Sequence, residues 1–75
     1  MKRVGDVVRT AQGLAVVRAP DDEAPDFGIT VVDENLTDIG RVVDVFGPVA
    51  RPYVAVSPNE DVRLPTLLGT TLYAR

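Results

Sequence analysis

Short valine-rich segments alternate along the chain with glycine and proline, and this spacing predicts an all-β domain. Six segments have the length of short strands, at residues 4–9, 14–18, 28–32, 39–46, 53–57 and 70–73. Apolar residues show no helical spacing and proline interrupts the second half, so we expect no helix of useful length. Six short strands in 75 residues leave few places to hide a sheet edge. This favours a small closed six-stranded antiparallel β-barrel whose interior is filled by side chains.

The fifth predicted strand has a clear inner face. Alternation places Val54 and Val56 on one side of the strand, and Tyr53, Ala55 and Ser57 on the other. We therefore predict that Val54 and Val56 are core residues.

The fourth predicted strand has no such polarity. Val43 shares one face with Arg41, whereas Val42 shares the other face with Asp44. Either a β-bulge shifts the alternation within this strand, or both faces are covered, one by the barrel and one by something else. The pattern alone leaves open whether Asp44 and Phe46 point inward or outward.

Two loops stand out between the predicted strands. Residues 19–27 form the longest one, and their prolines and four acids exclude regular structure. These acids lack the spacing of a calcium loop, which favours a hydrated loop over a metal site. The second loop, residues 47–52, contains Pro48 and Pro52, which fix their own φ and donate no backbone hydrogen bond, so we expect it to be stiff. Residues 59–68 are expected to be mostly irregular.

The composition excludes several kinds of chemistry. The chain has no Cys, His or Trp and a single Lys and Ser, so it offers no disulfide framework, zinc ribbon, thiol nucleophile, imidazole ligand or Ser–His pair. Ser57 has no partner base, and Asp44 is better interpreted as an acceptor for amides of the next loop than as an acid or base. We therefore expect no catalytic residue, no cofactor, no metal and no enzyme acting alone.

The charge balance argues against direct RNA binding by the isolated chain. Eleven acids against eight bases give a net charge of −3, and the seven Arg are scattered singly along the sequence. Binding driven by phosphates requires clustered bases. A solvated acidic surface is the favoured interpretation, ahead of an acidic patch for a basic partner. No segment has the length and hydropathy of a membrane span or a signal peptide, so we expect one cytoplasmic domain over residues 1–75 that is monomeric in isolation.

The loop at 47–52 is flanked by two of the four aromatic residues, Phe46 and Tyr53. A stiff apolar loop with an aromatic at each end is a good protein-docking surface, because little entropy is lost when it binds. In the alternative, the two rings plug one end of the barrel. These residues alone do not decide between the two interpretations.

The segment that contains the loop at 47–52 also resembles a known protein family. Residues 39–49 (IGRVVDVFGPV), followed by residues 52–56 (PYVAV), resemble the signature of the archaeal Gar subunit. The start MKRVG, the VVD at 31–33 and the closing LG and LY at 68–73 also fit, so the resemblance spans nearly the whole chain. That subunit belongs to H/ACA ribonucleoproteins, the RNA-guided pseudouridine synthases of rRNA processing. The present sequence departs from the family in being strongly acidic, with one Lys.

The resemblance implies a barrel of the translation-factor and reductase type and a non-catalytic role. It implies docking on the catalytic domain of a dyskerin-like pseudouridine synthase, with guide RNA and substrate rRNA reached only through the complex. It further implies an influence on a mobile loop that grips and releases substrate RNA. It therefore favours docking over plugging for the residues around the stiff loop. The predicted partner-binding residues are Phe46, Gly47, Pro48, Val49, Pro52 and Tyr53.

Two alternatives remain from other classes. Residues 39–45 (IGRVVDV) also resemble PRC-type β-barrels, which are free-standing regulatory or small-molecule-binding modules. The segment from Phe46 to Tyr53 is not expected in PRC-type barrels, so its presence discriminates between the PRC-type family and the Gar family. A translation-factor-like barrel that binds RNA directly is disfavoured by the net charge.

Overall fold

Six antiparallel strands close on themselves in the computed structural model, which describes residues 2–75. The elements are β1 (Lys2–Ala11), β2 (Leu14–Arg18), β3 (Thr30–Val32), β4 (Asp38–Phe46), β5 (Tyr53–Pro58), a short 3₁₀ helix (Leu64–Leu67) and β6 (Thr71–Ala74). The order around the barrel is β1-β2-β5-β4-β3-β6. This confirms the predicted fold class. Met1, the first residue of the predicted domain, lies outside the described residues. Nowhere from residue 2 to residue 75 is there a helix long and apolar enough to cross a membrane.

Strand β1 closes the barrel because it pairs with β2 along one half and with β6 along the other. Its register shifts at two points, once towards β6 between Arg3 and Gly5 and once towards β2 between Val7 and Arg9. Bulges of this kind bend a strand and increase its twist. Gly5 has a φ of +143°, and a Cβ at this position would collide with the carbonyl oxygen of Arg18. Only glycine lets the two strands approach this closely at the bend.

The interior is filled mainly by small branched side chains. Val54 and Val56 are fully buried, as predicted. The other members of the core cluster are Val4, Val7, Ala15, Val17, Val31, Ile39, Val42, Leu67 and Leu72. Leu67 belongs to the 3₁₀ helix, so the segment predicted to be mostly irregular adds a core residue through one short helical turn.

A β-bulge resolves the mixed pattern of β4. Its register to β5 shifts between Val42 and Asp44. Val42 is therefore buried and Val45 packs against the core, whereas Val43 and Asp44 are both exposed. After the bulge the alternation continues, so Phe46 also faces outward with 38% of its surface exposed. The side chains of Asp44 and Phe46, whose direction the sequence pattern left open, therefore both point outward from the barrel.

Candidate functional site

The first of two cross-strand rows on the outside of the barrel contains both predicted aromatics. Phe46 of β4 pairs with Tyr53 of β5, Tyr53 pairs with Arg18 of β2, and Arg18 pairs with Asp6 of β1. The two rings are stacked, with centroids 5.5 Å apart and planes inclined by 21°. The guanidinium carbon of Arg18 lies 4.5 Å from the centre of the Tyr53 ring, and Arg18 Nη1 donates to Tyr53 Oη at 2.6 Å.

Tyr53 is held from both sides, because β5 lies between β4 and β2. Phe46 approaches its ring from one side and Arg18 from the other. Aromatic stacking and a cation over a ring face are each worth on the order of 1 kcal/mol beyond area burial. Arg18 Nε is buried and has no hydrogen-bond acceptor within residues 2–75, so the attraction of its guanidinium to the ring offsets part of that cost. The half-buried tyrosine is thereby fixed in one orientation.

The second row lies beside the first and forms the floor of a groove. Asp44 pairs with Ala55, Ala55 pairs with Val16, and Val16 pairs with Arg9. Val16 and Ala55 point outward, yet they are only 4% and 3% exposed because longer side chains surround them. The groove above them has a volume of about 360 Å³. Its other lining residues are Arg9, Ala11, Gln12, Leu14, Asp44 and Phe46.

The loop at 47–52, here called the β4–β5 loop, is held by one hydrogen bond within the loop and by two to Ala19. The amide of Arg51 donates to the carbonyl of Pro48 at 3.2 Å, which closes a tight turn. Arg51 Nε donates to the carbonyl of Ala19 at 3.0 Å, and the amide of Ala19 donates to the carbonyl of Pro52 at 3.0 Å. At the tip of the loop Val49 is 89% exposed.

Gly47 allows the chain to turn directly over the tyrosine ring. Its φ is +88°, a region that suits glycine, and a Cβ here would lie 2.9 Å from Tyr53 Cδ2. The ring and the start of the loop therefore pack without an intervening side chain. This contact couples the aromatic stack to the β4–β5 loop.

The structure brings the six predicted partner-binding residues together but assigns them different positions. Phe46, Pro48 and Val49 are exposed, whereas Pro52 is buried and Tyr53 is half-buried. In the unbound chain, Pro52 and Tyr53 therefore support the loop and the stack instead of forming their outer surface.

Three arginines belong to this surface that the sequence did not associate with it. The guanidinium carbons of Arg9 and Arg18 lie 6.0 Å and 4.5 Å from the centre of the Tyr53 ring, and Arg51 sits on the adjoining loop. The arginines are scattered singly along the sequence, but strand pairing brings Arg9, Arg18 and Arg51 to one face. Alternation alone could not reveal the gathering, since it depends on which strands are neighbours.

Asp6 ends the first row in a network with two donors. Thr71 Oγ1 donates to Asp6 Oδ1 at 2.7 Å, and Arg3 Nη2 donates to the same oxygen at 3.1 Å. The hydrogen bond from Thr71, followed by that from Arg3, lowers the pKa of Asp6 below its ordinary value. The carboxylate is therefore ionised and engaged within the chain.

The residues considered for catalysis or metal binding occupy ordinary positions. Asp44 Oδ1 accepts the amide of its neighbour Val45 at 2.8 Å, and not an amide of the next loop, because the bulge turns the side chain along its own strand. Ser57 is half-buried opposite Arg41. In the part of the chain that the structure describes, no group of three or more acids, His or Cys is placed to hold a metal ion.

Together these features define a small closed β-barrel whose outer face carries a stacked aromatic pair, an apolar-floored groove and an exposed loop tip. The chain belongs to the family described as the Gar1/Naf1 RNA binding region, whose model matches residues 1–75. The resemblance inferred from the sequence is thereby confirmed.

The chain is also similar to individual proteins, one of which is named as a subunit of a ribonucleoprotein complex. The H/ACA ribonucleoprotein complex subunit GAR1 of Chaetomium globosum is 27% identical over 60 residues, which cover 80% of this chain and 29% of that protein. An uncharacterised protein of Methanocaldococcus jannaschii is 37% identical over 57 residues, covering 75% of this chain and 67% of its own. One from Methanothermobacter thermautotrophicus is 28% identical over 76 residues, covering 97% and 82%. The chain thus spans less than a third of the fungal relative but most of the archaeal ones.

Proposed function

We propose that this chain is a non-catalytic subunit of an H/ACA ribonucleoprotein that guides pseudouridylation of rRNA, and that it binds the catalytic pseudouridine synthase subunit. Family membership supports the assembly, since the Chaetomium relative is named as a subunit of that complex. The composition supports an accessory role, because residues 1–75 contain neither Cys nor His and so lack a thiol nucleophile and the commonest general base.

The main support for a docking surface is the exposure of Val49 on the β4–β5 loop, which is held in place by hydrogen bonds. An apolar side chain that is 89% exposed gains free energy when a partner covers it. Because the β4–β5 loop is already ordered by its hydrogen bonds to Ala19, little further entropy is lost on binding. Phe46 lies next to it, supported by Tyr53. Aromatic side chains are typical of the anchors that dominate protein interfaces, and the exposed apolar tip adds surface that a partner can cover beside them.

Docking at this surface influences turnover through the partner. A rigid barrel shifts a mobile loop on the synthase between gripping and releasing states by the difference in its contacts with the two states. A coupling of about 1–3 kcal/mol is typical of such effects. Loop opening and product release often limit turnover, so the barrel promotes loading and release of substrate RNA without supplying a reacting group.

The test compares two kinetic regimes. Pseudouridine formation is measured with substrate in excess and with enzyme in excess, with and without this subunit, in an otherwise complete guided synthase. We expect a larger increase in the multiple-turnover rate than in the single-turnover rate. Equal effects in both regimes, or modification by this chain alone, would contradict the proposal.

A binding measurement locates the surface. Phe46→Ala and Tyr53→Ala are each expected to weaken binding to the synthase by about 1–3 kcal/mol. Circular dichroism and thermal melting show whether each variant is still folded, since either ring also supports the barrel. Folded variants that bind as tightly as wild type would show that the docking surface lies elsewhere.

Direct RNA contact is the second candidate, because the family is described as an RNA binding region and Arg9 and Arg18 lie over the Tyr53 ring, with Arg51 on the adjoining loop. The net charge of −3 opposes phosphate binding by the isolated chain. We expect no measurable binding of guide or substrate RNA at moderate salt. Micromolar or tighter binding with a steep salt dependence would favour this second candidate. The PRC-type alternative has less support, since the matched family covers the discriminating segment 46–53 as well.

A further inference from the structure

Charge is distributed unevenly over the barrel. Four Arg and two Asp lie on or beside the two cross-strand rows, whereas the rest of the chain carries nine acids and four bases. The residues near the rows are Arg3, Arg9, Arg18, Arg51, Asp6 and Asp44. The face around Tyr53 is therefore positive in a protein whose net charge is −3.

Most of this positive charge has no carboxylate partner. The salt bridges within residues 2–75 are Lys2–Glu23 and Arg3–Asp6. The Arg18 guanidinium donates a hydrogen bond to Tyr53 Oη, and Arg51 donates to a backbone carbonyl. Arg9 is exposed and, among the described residues, makes neither a salt bridge nor a side-chain hydrogen bond. Its five N–H donors are free for an acceptor from outside the chain.

The groove places Arg9 at one end of an apolar floor. Arg9, Val16, Ala55 and Asp44 follow one another across four adjacent strands. Asp44 lies at the other end of the row, three strands from Arg9, and the salt bridges of residues 2–75 do not join these two residues. Val16 and Ala55 lie between them at the floor of the groove, whose whole volume of about 360 Å³ is enough for an apolar side chain.

We propose that the protein partner docks on this face through an acidic segment, with an apolar side chain seated over Val16 and Ala55 and a neighbouring carboxylate paired with Arg9. This inference rests on the proposed function, because it names the chemistry of the partner at the same surface. The complementarity also steers association, since an acidic segment is attracted to this face and repelled by the rest of the barrel.

Two features favour a protein over an RNA on this face. Both sides of the Tyr53 ring are occupied, by Phe46 and by Arg18, so the ring offers no free platform for stacking a base. The loop tip beside it is Val49, whose apolar side chain gains nothing from a phosphate backbone. An acidic protein segment satisfies the arginines and the apolar surface together.

The first test reverses one charge. Arg9→Glu, Arg9→Lys and the control Arg63→Glu are compared for binding to the purified synthase subunit at about 0.1 M and about 0.5 M salt. Arg63 is exposed at the start of the 3₁₀ helix and makes no side-chain capping bond. We expect Arg9→Glu to weaken binding about tenfold or more at low salt and less at high salt. Arg9→Lys and Arg63→Glu should remain within about threefold of wild type.

The second test fills the groove. Ala55→Leu fills part of the groove above its floor, so we expect weaker synthase binding. Circular dichroism and thermal melting show whether the variant is folded, since Ala55 is closely surrounded by longer side chains. If Arg9→Glu and Ala55→Leu bind like wild type while Val49→Asp does not, the acidic segment is refuted and the proposed function stands. If Val49→Asp also binds like wild type, the proposed docking surface itself fails. If Arg9→Glu loses binding to a uridine oligonucleotide and keeps binding to the synthase, the face binds RNA and the inference is overturned.

Discussion

Two proline-containing loops on this barrel expose apolar side chains. Their comparison shows that exposure of an apolar side chain is not the same as a loop that is already ordered for binding a partner. The loop at 19–27, here called the acidic loop, carries Phe27 with 67% of its surface exposed. The β4–β5 loop carries Val49 with 89% exposed. Each loop has two prolines, so proline content does not distinguish them.

Hydrogen bonding and charge do distinguish them. The β4–β5 loop has its own turn and two bonds to Ala19; it contains Arg51 and adjoins Tyr53, over which Arg9 and Arg18 lie. Beyond Ala19, the acidic loop is bonded by Asp21, which accepts the amide of Glu23, by an exposed ion pair between Glu23 and Lys2, and by the carbonyl of Asp26, which accepts the amide of Ile29 at a long 3.4 Å. Exposed ion pairs contribute at most about 1 kcal/mol. Proline limits the conformations of a segment, but bonds to the rest of the fold decide whether it is pre-ordered for a partner.

The largest difference is expected between Gly47 of the β4–β5 loop and Gly28, which directly follows the acidic loop. Gly47 and Gly28 have φ values of +88° and +83°, but only at Gly47 would a Cβ meet a side chain, that of Tyr53. Substitution by alanine imposes backbone strain of about 1–2 kcal/mol at both positions, and Gly47→Ala adds about 1–3 kcal/mol for overpacking. Urea unfolding measures the free energies of unfolding. If Gly47→Ala and Gly28→Ala lower the free energy of unfolding equally, the Tyr53 ring moves aside for the added methyl group at no cost.

Binding provides the next difference. Val49→Asp is expected to weaken binding to the synthase by about 1–3 kcal/mol, because a charged side chain cannot be buried at an apolar contact. Phe27→Asp makes the same kind of change in the acidic loop and should leave the affinity within about twofold, with both variants within about 0.5 kcal/mol of wild-type stability. Titration calorimetry measures both affinities. An equal loss in the two variants would place the interface across both loops.

A smaller difference in stability is expected when the side chain that makes a hydrogen bond in each loop is removed. Arg51→Ala removes the bond to the carbonyl of Ala19 and should lower the free energy of unfolding by about 0.5–1.5 kcal/mol. Amide exchange in the β4–β5 loop should accelerate at the same time. Asp21→Ala, which removes the bond to the amide of Glu23, should cost less because both partners are exposed. A larger loss for Asp21→Ala would reverse the proposed difference in order between the loops.

The smallest effect is a pH dependence at Asp6, on the same side of the barrel as the tied loop. Its lowered pKa, caused first by Thr71 and then by Arg3, means that the ionised form stabilises the fold above the unfolded pKa of about 3.9. This contribution is lost as pH falls through the lower pKa of the folded state. Thr71→Val should therefore flatten the decline of the urea midpoint below about pH 4. A decline as steep as that of wild type would remove Thr71 as its cause.

The strands show how far the sequence pattern reaches. Strand β2 has its predicted bounds, Leu14–Arg18, whereas β1 extends to Ala11 because the hairpin turn needs only Gln12 and Gly13. Both turn residues have positive φ, 53° and 77°, as in a two-residue hairpin turn of type I′. The predicted third strand is shortened to Thr30–Val32, although the two residues before it still bond to Val42. Strand existence follows from composition and period, but bounds depend on the neighbour that each residue finds.

The candidate site divides in the same way. Its loop and its two aromatics were predictable, because proline and aromatic residues have local consequences and the motif around them resembles a known family. Arg9, Arg18 and the groove floor at Val16 and Ala55 were not predictable, because they reach Tyr53 through strand pairings. Their contribution is visible only when β5 is known to lie between β4 and β2.

The sequence by itself determined the number of strands, the inward direction of Val54 and Val56, the presence of a proline-bracketed loop and the family. These are properties of short segments, set by side-chain alternation and by the fixed φ of proline. Only the tertiary structure decided the outward direction of Asp44 and Phe46 and the gathering of arginines into a positive face. The physical reason is that one extra residue in a bulge reverses every side chain beyond it, and strand order sets which distant residues meet.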